Sequence, residues 1–229
     1  MATLTDFRAE VAAVLGLDNT VSPGDQGFID GWVNEGVADV VMRSKCRQRP
    51  ATMTLTANTK DYTLPTGVIS ILNAYITSGG NDYALQQVSA QELDDMRRRG
   101  TTANSPVRFY ALGGADLLRL YPTPTAADTV NLTYVPRPTT LSAGANTPSE
   151  IPTEWHRLVT YFALWRGADF DDDSTSEQGE RYRKMYEDGL KLFRGQLATK
   201  GNARLPVARL SRRRRALVPH DPSADWSSW

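Results

Sequence analysis

Cysteine and histidine are scarce in this chain. Cys46 is the only cysteine, and His156 and His220 are the only histidines. A single thiol excludes an intramolecular disulfide and fits a reducing compartment. Followed by Arg47, it reads as a small residue at a helix end rather than as a reactive thiolate. The sequence contains no HExxH pattern, no CxxC pair, no GxxxxGK[ST] loop and no Ser/His/Asp order. His156 adjoins Trp155 in a helical stretch and reads as a polar helix position. No enzyme activity, cofactor or metal is therefore expected. No apolar run approaches the roughly 18 residues of a membrane span. The opening MATLTDFRAEVAAVLG lacks a basic start and carries Asp6 and Glu10 in its apolar stretch, so it does not read as a secretion signal. Net charge is also missing, since 26 basic residues face 26 acidic ones.

That neutrality hides an asymmetry. Residues 200–229 hold seven basic residues (Lys200, Arg204, Arg209 and Arg212 to Arg215) against Asp221 and Asp225. The arm is therefore about +5 and the preceding 199 residues about −5, a statement about partners rather than about fold.

The periodicity divides the chain. Leu4, Phe7, Val11, Val14 and Leu15 predict a helix over 3–15. Ser22-Pro23 starts a second helix, with Asp25 in its first turn and Phe28, Ile29, Trp32, Val33, Val37, Val40 and Val41 as an apolar stripe to about Arg47. Gly27, Gly31 and Gly36 weaken that helix by about 1 kcal/mol each relative to alanine, a cost offset where helices approach closely. From Ala51 to about Tyr134 short strands alternate with turns. Met53–Leu55 and Tyr62–Leu64 predict a hairpin, Val68–Thr77 a strand, and Ser78-Gly79-Gly80-Asn81 a turn into a strand at Tyr83–Gln87. Ser89 with Glu92 forms a capping box for a short helix to Arg98. Val107–Leu112, Leu117–Tyr121 and Thr129–Val135 predict three more strands. After a connector at Pro136–Pro152, helices start at Thr153 (Trp155, Leu158, Val159, Phe162, Trp165) and around Tyr182 (Met185, Tyr186, Leu190, Phe193), ending near Gln196.

The expected fold is α+β: a four-helix bundle built from residues 1–49 and 151–199, an inserted antiparallel β-rich domain over 50–150 with one short helix, and an extended basic arm over 200–229.

Two constellations suggest ligands. Asp169, Asp171, Asp173 and Glu180 occupy the first, third, fifth and twelfth positions of an EF-hand-like calcium loop. Ser174 replaces its turn glycine, Ser176 replaces its apolar residue, and the alternative is an acidic, solvated helix connection. In the arm, Arg209 and Arg212 to Arg215 can meet DNA phosphates or an acidic protein surface, or form a solvated tail. Leu205, Val207, Leu210, Leu217, Val218, Trp226 and Trp229 favour protein docking, because aromatics and arginine anchor interfaces.

Several segments, in order, resemble the head–tail adaptor (connector) proteins of tailed bacteriophages. They are Asp30-Gly31-Trp32-Val33-Asn34-Glu35; Tyr62-Thr63-Leu64-Pro65 and the apolar strand to Tyr75; and Val88-Ser89-Ala90-Gln91-Glu92-Leu93-Asp94. Next come Leu118-Arg119-Leu120-Tyr121-Pro122-Thr123-Pro124, Leu132-Thr133-Tyr134 and Arg137-Pro138. Ile151-Pro152-Thr153-Glu154-Trp155-His156, Ala163-Leu164-Trp165-Arg166 and a helix containing Tyr182 close the series. The likeness spans about residues 25–195. It implies a virion protein, assembled in the bacterial cytoplasm, that forms a ring of usually twelve copies between the portal and the tail or neck protein below it. DNA passes through the centre without sequence recognition, the β-rich part faces the next tail component, and the arm reaches toward the portal. The docking residues expected there are Arg209, Leu210, Arg212, Arg213, Arg214, Arg215, Leu217, Trp226 and Trp229. An acidic body suits a channel that DNA slides through, because like charges repel. A tail-completion protein at another level of the particle, and a nucleic-acid-binding module using the arginines, remain the alternatives.

Overall fold

A computed structural model describes residues 2–16, 23–100, 106–114, 116–170 and 176–201. The expected α+β class is observed. The described residues form α1 (Leu4–Val14), α2 (Pro23–Ser44), β1 (Arg49–Thr54), β2 (Asp61–Thr63), β3 (Val68–Ser78), β4 (Asn81–Ala84), β5 (Gln86–Gln87) and α3 (Ala90–Arg99). They continue with β6 (Phe109–Gly113), β7 (Leu117–Tyr121), β8 (Thr129–Pro136), a 3-10 turn at Thr153–Trp155, α4 (Arg157–Phe170) and α5 (Ser176–Gly201). There are thus five α-helices among the described residues, one of them packed on the strands.

Hydrophobic side chains gather in two clusters. The first takes Leu4, Phe7 and Val11 of α1, Ile29, Val33, Val37, Val40 and Val41 of α2, Leu158, Val159 and Phe162 of α4, and Tyr186, Leu190 and Phe193 of α5. Each set recurs at helical spacing, so each helix turns one face inward. Polar ties reinforce the pairs. Arg8 grips Asp30 through two bonds of 2.6 and 2.5 Å, and Arg43 grips Glu187 through 2.7 and 2.6 Å. Helix α1 starts with a reciprocal capping box between Thr3 and Asp6. Its N–H groups at Leu4 and Thr5 donate to the carbonyls of Asn146 and Gly144, so the connector satisfies the donors that a helix start leaves free. Asn34 fixes the same connector from α2, donating to the Leu141 carbonyl at 3.1 Å and accepting from the Leu141 N–H at 2.7 Å.

The second cluster lies between two four-stranded sheets, ordered β1-β8-β3-β4 and β2-β7-β6-β5. All strand pairs are antiparallel except β5–β6, which is parallel, so the second sheet is mixed. The expected hairpin of Met53–Leu55 with Tyr62–Leu64 does not form. Strand β1 pairs with β8 and β2 with β7, in different sheets. Ala51 and Met53 stand opposite Leu132 and Val130, and this distant apolar match outweighs the local turn. The Tyr62 hydroxyl holds the intervening turn, accepting from the Thr56 N–H at 3.0 Å. The strand expected over Tyr83–Gln87 splits at buried Leu85, which donates to Ala74 of one sheet while Gln86 donates to Arg108 of the other. At α3, Ser89 caps the Glu92 N–H at 3.1 Å, the first half of the expected box.

The two clusters meet on β3 and β8. Val130 and Leu132 face the inter-sheet cluster, while Val135 belongs to the helical one. Strand β8 alternates buried and half-buried residues from Thr129 to Thr133 and then buries Tyr134, Val135 and Pro136 in succession. Continuous burial marks the end at which both faces of the strand are covered. Two register shifts in β3, at Val68/Ser70 and Ile71/Asn73, let Val68 and Ile71 face the sheets and Ile69 and Leu72 the helices.

The glycines of α2 differ in role. A Cβ on Gly36 would stand 3.1 Å from the Phe162 ring, the close helix approach expected from the sequence, whereas Gly27 and Gly31 have nothing within 4 Å. Phe28, expected in the apolar stripe, is 51% exposed, because its position falls opposite the Ile29–Val33–Val37 face. Ser22, the expected cap of α2, lies outside the described residues.

Gly31→Ala is expected to stabilise the chain by about 0.5–1 kcal/mol, through helix propensity alone. Gly36→Leu is expected to destabilise it by about 1–3 kcal/mol, because the Phe162 contact leaves no room. Denaturant titration of both variants checks the pair; destabilisation by Gly31→Ala contradicts the assignment.

Candidate functional site

Among the described residues, the chemistry-bearing side chains singled out in the sequence are not brought together. His156 is 5% exposed rather than an open helix position. Its Nε2 lies 3.0 Å from the Ile151 carbonyl, so that nitrogen carries the proton, and the buried Nδ1 has no hydrogen-bond partner. With Phe7 at 6.2 Å, the ring serves as a packed pin on the Ile151–His156 turn. The Cys46 thiol lies 3.4 Å from the Glu150 carbonyl, and burial pushes its pKa up, which keeps it protonated and unreactive. Of the calcium-loop candidates, residues 171–175 fall outside the described set. Glu180 is described on α5, where it pairs with Arg183 at 3.3 Å. No group of three or more metal-binding side chains occurs among the described residues.

Two charged surfaces are present instead. On α3, Asp94 meets Arg119 at 3.2 Å and Arg97 at 3.8 Å, and Arg97 also meets Asp61 at 3.3 Å. These ties hold α3 against β2 and β7. Beside them Glu92, Asp95, Met96, Arg99 and Tyr121 line a cleft of about 610 Å³.

The second surface lies where α2 and α5 end together. Arg43 is fixed there by Glu187 and stands 5.8 Å over the Tyr186 ring. The Tyr186 hydroxyl donates to Asp39 Oδ2. A groove of about 350 Å³ runs past Arg43, Lys45, Cys46, Gln48, Arg194 and Leu197, and a neighbouring one past Arg43, Glu187, Asp188, Lys191 and Arg194. Lys45, Arg47, Arg49, Lys191 and Arg194 are exposed, and no ion pair involves them among the described residues. No local sequence pattern marks this cluster, because its members lie about 150 residues apart in the chain. The arm expected over 200–229 follows directly from this end of α5, whose last turn reaches Gly201. The arm residues expected to dock (Arg209, Leu210, Arg212, Arg213, Arg214, Arg215, Leu217, Trp226 and Trp229) lie outside the described residues.

The pair of buried Tyr186 and half-buried Asp39 gives this end a pH signature. Burial and the bond to Asp39 push the Tyr186 pKa well up. The Arg43 guanidinium holds Glu187 below the usual carboxylate range. A raised tyrosine pKa favours the neutral phenol in the folded state, so its contribution is complete below about pH 10 and is lost as pH rises beyond that. A lowered carboxylate pKa contributes above about pH 4 and is lost on acidification. Tyr186→Phe is expected to cost about 1–2 kcal/mol at pH 7, with the gap to wild type narrowing above about pH 10. Thermal unfolding across pH 7–11 measures it; a constant gap contradicts the assignment.

No curated protein matches the chain significantly. A family model described as SU10 adaptor protein matches residues 2–214, which takes in both sheets, all five described helices and the first part of the arm. With nearly the whole chain covered, and in agreement with the resemblance read from the ordered segments, the chain belongs to the SU10 adaptor protein family, whose members are phage adaptors.

Proposed function

We propose that this chain is the structural head–tail adaptor of a tailed phage particle. It assembles as a ring, of twelve copies by the family resemblance, that docks under the portal and joins it to a tail or neck protein while DNA passes through the middle. The family match over residues 2–214 carries this reading. On it, residues 1–49 and 151–199 act as a four-helix bundle, residues 50–150 as an inserted β-rich domain facing the next tail component, and residues 200–229 as the portal-docking arm. The order of the charges supports the arm's role. A soluble copy whose arm engages only when portal is present is tethered on demand, with the cost of ordering met by binding. Arg209 and Arg212 to Arg215 supply forked hydrogen bonds to carboxylates, and Leu210, Leu217, Trp226 and Trp229 supply apolar anchors.

Removing residues 202–229 is expected to lower co-purification with portal at least about tenfold, the loss of about 1.4 kcal/mol or more of contact, while thermal unfolding of the body stays unchanged. Full-yield co-purification of the shortened chain rejects the docking role.

The run of four arginines favours one further reading, non-specific DNA contact by the arm. It predicts a steep fall of duplex affinity with salt. Changing Arg212 to Arg215 to alanine should flatten the log–log slope by up to about 3–4; no duplex binding at low salt rejects it.

A further inference from the structure

The two outer strands of one sheet lie in stretches of opposite charge. In the sheet ordered β1-β8-β3-β4, β1 and β4 are the edges, and no strand among the described residues pairs with the free side of either. Strand β1 lies in a stretch, residues 44–60, that carries Lys45, Arg47, Arg49 and Lys60 and no acid. Strand β4 lies in a stretch, residues 61–96, that carries Asp61, Asp82, Glu92, Asp94 and Asp95 and no lysine or arginine. We propose that β4 of one copy pairs with β1 of the next, so that the sheet runs on from copy to copy. The inference deepens the ring reading, on which its closure rests.

The inner pairing of each edge decides which backbone groups it turns outward. The Leu55 N–H donates to Asp128 in line with the β1–β8 register. Antiparallel ladders alternate hydrogen-bonded and open pairs, so Ala51 and Met53 bond β8 while Pro50, Thr52 and Thr54 face away. The Leu85 N–H donates to Ala74 in line with the β3–β4 register, so Tyr83 bonds β3 while Asp82 and Ala84 face away. Thr52 set opposite Ala84, and Thr54 opposite Asp82, make about four hydrogen bonds between copies. Pro50 has no N–H to offer and falls beyond the pair, opposite Gln86, where the chain has crossed to the other sheet. The same register sets Met53 against Tyr83. Met53 packs on the inter-sheet cluster, and Tyr83 stands opposite Ile76 of that cluster, so both lie on one face of the sheet. Tyr83 is 41% exposed, and pairing with a thioether across the strands shelters it.

Strand direction fits as well. Neighbours in this sheet all run antiparallel, and four is an even number, so a copy related by rotation brings its β1 antiparallel to β4. In the second sheet the parallel β5–β6 pair makes the same continuation parallel, over strands of only two and three residues. Charge selects unlike edges. Pairing β1 with β1 brings two basic stretches together and β4 with β4 two acidic ones, and like charges repel. In the β1–β4 register Arg47 and Arg49 lie toward Gln87 and the start of α3, where Glu92 is exposed. Arg47, Arg49 and Glu92 make no ion pair among the described residues. Contacts between unlike surfaces close into rings when the rotation between copies allows.

The test uses the full chain carrying Cys46→Ala, mixed with portal protein at about 0.1 M salt. Opposed residues of a hydrogen-bonded pair have Cα atoms about 5.5 Å apart, within disulfide reach. An equimolar mixture of Thr52→Cys and Ala84→Cys chains, oxidised with copper–phenanthroline, is expected to give at least tenfold more disulfide-linked dimer than either variant alone. Thr52→Pro removes an outward N–H and no ladder bond within the chain. It is expected to lower complete rings, counted by electron microscopy, at least tenfold with thermal unfolding unchanged. If Thr52→Pro lowers thermal unfolding, the cross-link alone decides. Rings without linked dimer in the mixture, or rings undiminished in a folded Thr52→Pro chain, overturn the pairing and leave the ring reading standing. Dimer from one variant alone as abundant as in the mixture assigns that edge to like-with-like pairing and overturns the proposal. Dimer that forms only after residues 202–229 are removed assigns the edge to the chain's own arm and overturns it too. Linked dimer without any ring upholds the pairing and rejects the ring reading. If neither dimer nor ring forms, both fall.

Discussion

The pairing of β3 with β8 holds this molecule in one piece. Both strands present one face to the inter-sheet cluster and, at one end, the other face to the helices. Val135 thereby sits in the helical cluster three residues from Leu132 in the other. A strand has only two faces, and a shift of one residue exchanges them. The two shifts in β3 are therefore constraints on the whole fold, since they decide which side chains each cluster receives. The connector after β8 extends the same constraint, because Asn34 clamps Leu141 and the start of α1 donates to Gly144 and Asn146.

Local rules carried the helices and much of the strand content. The interiors of α2, α4 and α5 could be read from apolar spacing, and Ser89 announced α3 through its cap. What local rules missed was pairing. The choice between a hairpin at 53–64 and pairing of β1 with β8 depended on Val130 and Leu132, about 80 residues away. The parallel β5–β6 pair and the switch at Leu85 were hidden for the same reason. Phe28 and Gly31 show a subtler failure. Periodicity placed Phe28 in one apolar stripe with Ile29, Trp32 and Val33 but did not show that Phe28 falls on the outward side.

The ordered segments that signalled an adaptor now have physical jobs. Asp30 receives Arg8, Asn34 pins the connector, and Glu35 accepts from Arg166 at 3.3 Å. Arg119 ties α3 to the sheet, and His156 closes the turn begun at Ile151. All of these are positioning roles within the chain. The charged surfaces could not be read from the sequence because their members come together only in the fold. Lys45 and Arg194 are distant in the chain and line one groove.

The proposed function requires that the chain close into a ring against the portal. Electron microscopy of the full chain mixed with portal protein addresses it most directly. A closed ring of adaptor density coaxial with the portal is the predicted result. Portal particles that carry only isolated copies, or none, contradict it.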